Sequence, residues 1–424
     1  MTLHQPGDDA NGRDDPTQQT GRVPQFLPGN PHVSLAALRE RIEYQFVAES
    51  ANRPNILRDL DAGTRHEIVR DIVDYVLATE SVSVSRADRL LILDVAYRDL
   101  FGFGPLDAYL ADDNVTELTV DGPDKIYVRH GAADMTPVEV NFDDAVHLEH
   151  IIQRVLATEG TLLSDVEPIL ELGTVAAGRP ARLIVTGPPV SPALHVEIRL
   201  HRPKPSTLEG CIKSGLLDSD SAAALERVVS SGRGMMIVGD VGTGKTTLLE
   251  ALLPMLPADT CVVERAHELR LPDSPGGMRR LVAVPQGPDQ QAVSFAEQID
   301  AALAVPPRCM ALDEVRFDEA PAMWRALTLD SSTFAMRCVW AFRGAIDPRR
   351  LRTAFSMSVR RAQPGIDQAI IHKTLVERLP FVVMVGRQSQ RLRLLEIGEW
   401  RPDSDQTDGL ALHTLWADGA SGRG

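Results

Sequence analysis

The sequence predicts an α/β protein whose C-terminal half contains a mainly parallel sheet, preceded by an α+β domain and a helical N-terminal extension. Short apolar runs in the second half, such as "MMIVGD" and "RCMALDE", are typical of strands buried on both faces of a parallel sheet. Helical segments such as "SFAEQIDAALAV" separate several of these runs. The first half contains amphipathic helical patterns followed by short alternating strands, which is the pattern of an α+β domain.

The composition limits the classes of protein to which the chain can belong. A length of 424 residues is enough for two or three domains. The net charge of -15, from 44 basic and 59 acidic residues, argues against a protein that coats nucleic acid. Four widely spaced cysteines without a C-x-x-C pair predict neither a disulfide framework nor a zinc site, and favour the cytoplasm. No apolar run reaches the roughly 18 residues of a membrane span, so we expect only peripheral membrane association.

The N-terminal part is expected to be disordered and then helical. Residues 1–32 are rich in Gly, Pro, Asp, Gln and Asn, which predicts disorder. Residues 33–104 are predicted to form a helical extension with three helices. The first helical pattern begins at Ser34, the second is "RHEIVRDIVDYVLATE", and the third begins at Ser85 and ends at Gly102.

Residues 105–202 are predicted to form the α+β domain. "VTELTVDGPDKIYVRHG" indicates two strands joined by a hairpin, and "DAVHLEHIIQRVLATEG" indicates an amphipathic helix. "RLIVTGPPV" and "HVEIRLH" indicate two further strands. The proline-broken stretch "RPKPSTLEG" is expected to link this domain to the next.

Residues 203–400 are predicted to form the domain with the parallel sheet. Its strands are "MMIVGD", "TCVVER", "LVAVP", "RCMALDE" and "RCVWAF", followed by a helix near Pro364 and a closing hairpin of "PFVVMVG" and "RLRLLEIGEW". Residues 401–424 are expected to be a flexible tail. Five arginines near the end form either a local basic face or, as we favour, a solvated helix face: Arg349, Arg350, Arg352, Arg360 and Arg361.

The stretch "GDVGTGKT", residues 239–246, is a phosphate-binding motif. It satisfies G-x-x-x-x-G-K-[ST] between an apolar strand and a helix, as a P-loop requires, although a glycine-rich turn with an incidental lysine is the alternative. Lys245 is expected to contact the β- and γ-phosphates and the Thr246 hydroxyl to bind Mg²⁺. The motif predicts a RecA-like P-loop NTPase domain with ATP and Mg²⁺ as cofactors. The predicted nucleotide contacts are Gly239, Asp240, Val241, Gly242, Thr243, Gly244, Lys245, Thr246 and Thr247.

Two acidic stretches follow other strands of this domain. In "CMALDEVR" we expect Asp313 to lie near the metal and Glu314 to orient or deprotonate water, although both could simply cap the next helix. In "VVERAHELRL" the residues Glu264 and Glu268 follow another strand. Taken alone, the second stretch favours a charged loop.

Several stretches occur in the order of a known family. They are "GFGPLDAYLADDNVTELTVDGPDKIYVRHG", "LIVTGPPVSPALHVEIRLHRP", the P-loop, "VVERAHELRL" and "MALDEVR". From about residue 85 to 400 the chain resembles the type II/IV secretion system ATPase family. It looks closest to the CpaF-like branch, the motors of tight-adherence (Flp) pili.

The resemblance implies a protomer of two domains in a hexameric ring, with nucleotide at the domain and subunit boundaries. Arg199, with Arg182 as the second candidate, would then reach from the N-terminal domain toward the phosphates. Glu264 takes the acidic-box position and Glu314 that of the Walker B glutamate, so the catalytic residues implied are Glu314, Glu264 and Lys245. The N-terminal helices would meet an inner-membrane platform protein, which implies a cytoplasmic protein held peripherally at the inner membrane, without nucleic acid.

The chain departs from the family's pattern at several positions. Arg265 follows Glu264 where the family has Glu-Asp, and only Arg308 remains of an arginine-rich turn. Trp340 stands in the place of the histidine of the family's T-x-H-A-N box, and Phe342 in the place of its asparagine. An indole can donate only one hydrogen bond and cannot replace a histidine that senses the γ-phosphate.

These features lead to two hypotheses of different classes. The first is an ATP-hydrolysing motor for pilus assembly or protein secretion, with activity reduced if the histidine box matters. The second is a nucleotide-binding, weakly or non-hydrolysing structural or regulatory subunit that works with an active paralogue. The acidic balance and the lack of a DNA-reading motif count against a third possibility, a DNA-translocating ATPase.

Overall fold

A computed structural model of the chain forms two compact units, Met1–Pro105 with Val140–Asp143 and Leu106–Glu139 with Asp144–Gly424. The second unit contains both the residues expected to form the α+β domain and those expected to form the P-loop domain. The expectation of disorder for residues 1–32 lies outside the described residues. The structure describes residues 34–51, 60–131, 133–202, 204–272, 277–316, 319–329, 336–388, 391–403 and 409–419.

The first unit contains three helices, in the places that the helical patterns predict. The residues before the second and third helices, Asp61 and Ser85, cap them by accepting hydrogen bonds from the main-chain N–H groups of Thr64 and Asp88. Apolar side chains from all three helices form one core, among them Leu38, Ile72 and Ile92. The helices are α1 (Leu35–Ala51), α2 (Ala62–Thr79) and α3 (Arg86–Phe101).

The second unit begins with a six-stranded antiparallel sheet in the order β3-β2-β1-β6-β5-β4. The hairpin predicted around Gly122 is β1–β2, whereas β4 has no counterpart among the predicted strands. Two helices accompany the sheet, α4 (Asp107–Leu110) and α5 (Ala145–Thr158). The strands are β1 (Val115–Asp121), β2 (Ile126–His130), β3 (Thr136–Pro137), β4 (Ile169–Ala176), β5 (Arg179–Thr186) and β6 (His195–Leu200).

The register of this sheet places a row of polar residues on one face. Arg182 lies opposite Gly173 on one side and Arg199 on the other, and Arg199 lies opposite Glu117. Residues directly opposite each other in an antiparallel sheet point to the same face. The row therefore directs two arginines and a glutamate to one side of the sheet.

An eight-stranded sheet follows in the order β14-β13-β12-β7-β11-β10-β8-β9. The six strands from β12 to β9 in this order are parallel, and β13 and β14 add antiparallel at one edge. The P-loop strand β7 lies in the centre between β12 and β11, which is the RecA-like arrangement that the sequence predicts. The strands are β7 (Met235–Gly239), β8 (Cys261–Glu264), β9 (Arg279–Val282), β10 (Cys309–Val315), β11 (Arg337–Arg343), β12 (Phe381–Gln388), β13 (Arg391–Pro402) and β14 (Leu410–Ala417).

Helices cover both faces of this sheet, and each face has its own apolar core. Met236 and Trp340 belong to the core shared with α9 to α12, whereas Ile237 and Val339 belong to the core shared with α6 to α8. The helices are α6 (Leu208–Lys213), α7 (Ser219–Ser230), α8 (Lys245–Leu252), α9 (Phe295–Ala304), α10 (Ala320–Thr328), α11 (Pro348–Ala362) and α12 (Gln368–Arg378). Among the described residues, none of the helices has the length and apolar character needed to cross a membrane.

The C-terminal part differs from the sequence-based expectations. The expectation of a flexible tail is wrong for Leu410–Ala417, because this segment pairs with β13 and buries Leu410. The helix expected near Pro364 begins at Gln368, where Asp367 caps it. The solvated helix face is correct for four of the five arginines on α11, but Arg352 is buried and donates to the main-chain oxygen of Leu410.

Candidate nucleotide-binding and catalytic site

The P-loop has the backbone shape that its glycines predict. It connects the end of β7 to the start of α8. Gly242 and Gly244 have φ angles of 70° and 93°, which are accessible to glycine at little cost. A Cβ on Gly239 would lie 2.4 Å from the main-chain oxygen of Val385, so a side chain would not fit there. The loop is therefore closed tightly against β12.

Lys245 contacts the P-loop itself in this structure. Its Nζ donates to the main-chain oxygen of Asp240 at 2.7 Å, and the Thr243 hydroxyl donates to the same oxygen at 2.8 Å. The side chain is buried, and burial lowers the pKa of Lys245 against the opposing charges of Glu314 and Asp313. A charged ammonium group held on a neutral carbonyl can exchange that carbonyl for a phosphate oxygen.

Thr246 and Asp313 lie where a P-loop protein binds Mg²⁺. The Thr246 hydroxyl donates to Oδ1 of Asp313 at 3.0 Å. Oδ2 of Asp313 is buried and has no hydrogen-bond partner in the part of the chain that the structure describes. Burial and the charge of Glu268 raise the pKa of Asp313 to about 6.

These two groups fit a magnesium ion. Mg²⁺ prefers oxygen ligands and is usually bound through one or two carboxylates together with substrate phosphates and water. Within the described ranges, no group of three or more His, Cys, Asp or Glu residues could hold a metal by itself. The remaining ligands would therefore come from the phosphates and from water.

Glu314 is the next-to-last residue of β10, with a left-handed backbone and arginines bonded to both carboxylate oxygens. Its φ angle is 55°, which residues other than glycine rarely adopt. Nη1 of Arg182 donates to Oε2 at 3.0 Å, and Nη2 of Arg316 donates to Oε1 at 3.1 Å. Burial would raise the pKa of Glu314, but the charges of Arg182 and Arg316 outweigh it and the pKa is lowered.

Of the two arginines implied by the resemblance, Arg182 reaches the carboxylates of Glu268 and Glu314. Its side chain is 3% exposed and forms ion pairs with Glu268 and Glu314. Arg199 lies beside it on β6 but pairs within its own sheet, with Glu117 at 3.6 Å and Glu197 at 3.5 Å. The neighbouring arginines of one row therefore have different partners.

The stretch that ends β8 and follows it is charged, as the sequence favoured, but most of it is buried and most of its charged residues form ion pairs. Glu264 is fully buried and accepts from the main-chain N–H groups of Glu268 and Leu269, at 2.9 and 3.0 Å. Burial raises the pKa of Glu264 to about 8. Glu268 is also buried, and it pairs with Arg182 and, at 3.3 Å, with His201.

Trp340 and Phe342 lie in the apolar core. Both side chains are fully buried with the residues that pack against α9 to α12. The P-loop helix α8 covers the other face of the sheet. The position that the resemblance assigns to a phosphate-sensing histidine is thus a core position in this chain.

A cleft of about 960 Å³ opens beside the P-loop. Asp240, Val241 and Thr243 contribute to its wall. No local pattern of the sequence indicates its basic character, although Arg343 ends β11 and Arg387 is next to last in β12, the two strands that flank β7. The arginines in its lining are Arg129, Arg316, Arg343, Arg350 and Arg387. A chain with a net charge of -15 therefore has a local site suited to a polyanion.

Comparison with known proteins shows to which family the chain belongs. The model of the family described as type II/IV secretion system protein matches residues 99–328, more than half of the chain. The chain belongs to this family. The matched segment includes the P-loop, the loop after β8 and β10, and it ends with α10. The secretion-system family that the sequence resembles is therefore confirmed at this level.

Individual relatives are distant. An uncharacterized protein of Methanocaldococcus jannaschii is 25% identical over 59% of this chain, which spans only 45% of that relative's length. A Mycobacterium tuberculosis protein, provisionally named for conjugal transfer, is 26% identical over 78% of this chain and 97% of its own length. The type IV secretion system protein VirB11 of Brucella suis is 25% identical over 52% of this chain and 67% of its own length.

Two solved structures align with a large part of the chain. The VirB11 ATPase of the Brucella suis type IV secretion system shares 21% identity, covering 70% of this chain and 95% of that chain, with a TM-score of 0.36. The Legionella pneumophila ATPase DotB shares 13% identity, covering 75% of this chain and 81% of that chain, with a TM-score of 0.47.

Proposed function

We propose that the chain is an ATP-hydrolysing motor that powers pilus assembly or protein secretion through nucleotide-driven domain movement in a ring. The observation that carries the proposal is the hydrogen bond between Thr246 and Asp313 at 3.0 Å, with Glu314 next in the chain. It joins the P-loop to the acidic strand end in the arrangement that phosphoryl transfer needs. Family membership supports the link to secretion systems, and the sequence resemblance supports the CpaF-like branch.

Each residue of the site has a specific role in this proposal. Lys245 leaves the carbonyl of Asp240 and binds the β- and γ-phosphates of ATP. Thr246 and Asp313 would hold Mg²⁺, which neutralises charge on the phosphates. Glu314 orients the attacking water and accepts its proton. The arginines of the cleft bind the remaining phosphate charge.

The partners follow from the same proposal. We expect a homohexamer in the cytoplasm that a platform protein holds peripherally at the inner membrane. We expect no nucleic-acid partner. The three-helix unit of residues 34–105 is compact by itself, which suits a separate contact with such a platform. The net charge of -15 supports a protein partner over a nucleic acid.

Steady-state ATPase activity of the full chain tests the proposal, together with the mass of the protein in solution with ATP and Mg²⁺. We expect turnover in a ring-sized assembly, loss of turnover with Lys245→Ala and Glu314→Gln, and no loss with Arg325→Gln. Arg325 is an exposed control that pairs with Asp300 on the surface. Turnover that survives in Lys245→Ala would show that the activity comes from another site or from a contaminant.

A second candidate function is a nucleotide-binding subunit that hydrolyses weakly or not at all and works beside an active paralogue. Two observations favour it. Both carboxylate oxygens of Glu314 are occupied by arginines, and Trp340 stands in the place of the phosphate-sensing histidine. Tight binding of ATP without turnover in any assembly state would establish this function and exclude the motor.

A further inference from the structure

The catalytic carboxylate is connected to the six-stranded sheet by a network of ion pairs. Arg182, on β5, contacts Glu314 at 3.0 Å and Glu171, on β4, at 3.3 Å. Arg316 donates to both oxygens of Glu171 at 2.9 and 3.0 Å and also contacts Glu314. Glu268 completes the network through Arg182. We call these five residues the carboxylate latch.

The latch leaves Glu314 poorly suited to act on water. Its two oxygens accept three hydrogen bonds from guanidinium groups, which fill most of the acceptor positions that a water molecule would need. A general base must reach the water by a hydrogen bond, so these contacts compete directly with the attacking water.

Close backbone packing holds the sheet in this position. A Cβ on Gly173 would lie 2.3 Å from the main-chain nitrogen of His267, so β4 lies directly against the loop after β8. Gly173 is opposite Arg182 in the sheet and two residues from Glu171. A small shift of β4 away from this loop would move both latch residues of the sheet.

Arg316 is where the latch and the cleft meet. It contacts Glu171 and Glu314, and it also lines the cleft beside Asp240 and Thr243. Its side chain is 26% exposed, so it can exchange partners more easily than Arg182. The phosphates of a nucleotide in the cleft would compete with Glu171 and Glu314 for its guanidinium group.

We infer that Glu171 and Arg182 are positioning residues that hold Glu314 in an inactive arrangement, and that a nucleoside triphosphate releases it by attracting Arg316. The inference rests on the proposed function, because it concerns the same site and adds its regulation. The released carboxylate regains a free oxygen for the attacking water. Hydrolysis is then limited to the state in which the six-stranded sheet has moved.

The first test measures hydrogen–deuterium exchange in the full-length protein, at residues 169–186, without nucleotide, with ADP, and with a slowly hydrolysed ATP analogue and Mg²⁺. We expect exchange in β4 and β5 to become faster with the triphosphate analogue than with ADP. Equal or slower exchange with the analogue would overturn the inference. This readout does not depend on turnover.

The second test uses Arg182→Lys, which keeps a positive charge for Glu268 but cannot contact three carboxylates as a guanidinium does. We expect kcat to rise several-fold with KM little changed, because Glu314 loses the hydrogen bond from the Arg182 guanidinium group to Oε2. Arg325→Lys is the matched control. A kcat that falls or stays unchanged would show a merely structural role for Arg182.

The two tests separate the failure of the latch from the failure of the motor. Faster exchange with the triphosphate analogue, in a protein without turnover, supports the latch and excludes the motor. Turnover with unchanged exchange, and without a rise of kcat in Arg182→Lys, supports the motor and overturns the latch.

Discussion

Arg265 donates a hydrogen bond from Nε to the main-chain oxygen of Glu314 at 3.1 Å. Its Nη2 lies 2.6 Å from Oε2 of the buried Glu319, and its guanidinium group lies 4.8 Å from the ring centre of Phe295. Glu314 has a left-handed backbone, which is strained for a glutamate. Arg265 therefore stabilises the end of β10. The resemblance places the aspartate of the acidic box at position 265.

The first prediction concerns the restoration of that aspartate. Arg265→Asp would leave the buried Glu319 without this partner, remove the hydrogen bond to the Glu314 carbonyl and add another carboxylate nearby, so we expect the free energy of unfolding to fall by about 3 kcal/mol. Arg265→Lys loses mainly the hydrogen bond to the carbonyl and should cost about 1 kcal/mol. Urea denaturation measures both. Arg308→Asp is the control, because Arg308 is exposed and lies 3.7 Å from Asp259; equal losses at the two sites would contradict this role of Arg265.

The second prediction concerns Trp340. Its indole is fully buried on β11, between Leu312 of β10 and Met236 of β7 in the sheet register. Its Nε1 has no hydrogen-bond partner among the residues that the structure describes. The side chain thus contributes volume to the core and no hydrogen bond within that part of the chain.

Replacement by the family's histidine should therefore damage the fold without a gain in activity. We expect Trp340→His to lower the free energy of unfolding by about 3 kcal/mol, because it leaves a cavity and buries a polar ring. Trp340→Phe should cost less, since it loses volume alone. Thermal denaturation and ATPase assays check both variants. A higher turnover rate in Trp340→His would show that position 340 does reach the nucleotide.

The third prediction concerns Arg343, at the end of β11. It lies opposite Gly239 of the P-loop and lines the cleft, and among the described residues no ion pair to it is found. Burial is the main cause that lowers the pKa of Lys245, and the charge of Arg343 also lowers it. An exposed cation beside a phosphate-binding loop is suited to bind a phosphate.

We expect Arg343→Gln to weaken the binding of ATP with Mg²⁺ about tenfold, the effect of losing one charge-assisted hydrogen bond. The binding of ADP should weaken less if Arg343 contacts the γ-phosphate. Titration with a fluorescent nucleotide measures both constants. Arg349→Gln removes the same charge from α11, outside the lining of the cleft, and should change neither constant. Equal effects of the two substitutions would show only a general effect of charge.

Local sequence patterns predicted the parts of the site whose geometry depends on neighbouring residues. The P-loop is determined by the order of a strand, glycines and a helix within a few residues, and its φ angles follow from the glycines. The helices of the first unit were predictable for the same reason, because their caps and apolar spacing are local. The hydrogen bond between Thr246 and Asp313 follows a general rule of such folds, because parallel strands bring their carboxyl ends to one edge of a sheet.

The other features depend on contacts that no local pattern records. Arg182 meets Glu268 and Glu314 across 86 and 132 residues of sequence, through the register of one sheet and its packing on another. The sequence could not predict on which face of the sheet the Trp340 side chain lies. A strand with two apolar faces shows no alternation of apolar and polar residues that would distinguish them. The edge strand β14 was missed because its residues are mostly half-buried or exposed and show no regular alternation of apolar and polar side chains.

The last prediction concerns the protonation of Glu264. Burial raises the pKa of its carboxyl group to about 8, although Arg280 lies 3.1 Å from Oε1 and opposes this effect. The charge of Asp313 adds to the effect of burial, and the N–H groups of Glu268 and Leu269 oppose it. The folded protein therefore binds a proton that the unfolded chain releases near pH 4.5.

The sign of the pH dependence follows from this difference. A group whose pKa is raised by folding contributes its full stability below the unfolded pKa and loses it as the pH rises through the folded pKa. We expect the contribution of Glu264 to the free energy of unfolding to fall between about pH 5 and pH 8. Glu264→Gln resembles the protonated form, so it should match the wild type near pH 5 and be more stable than the wild type at pH 9. Urea denaturation across this range tests it, and a variant that is much less stable at every pH would show that Glu264 is ionised in the folded protein.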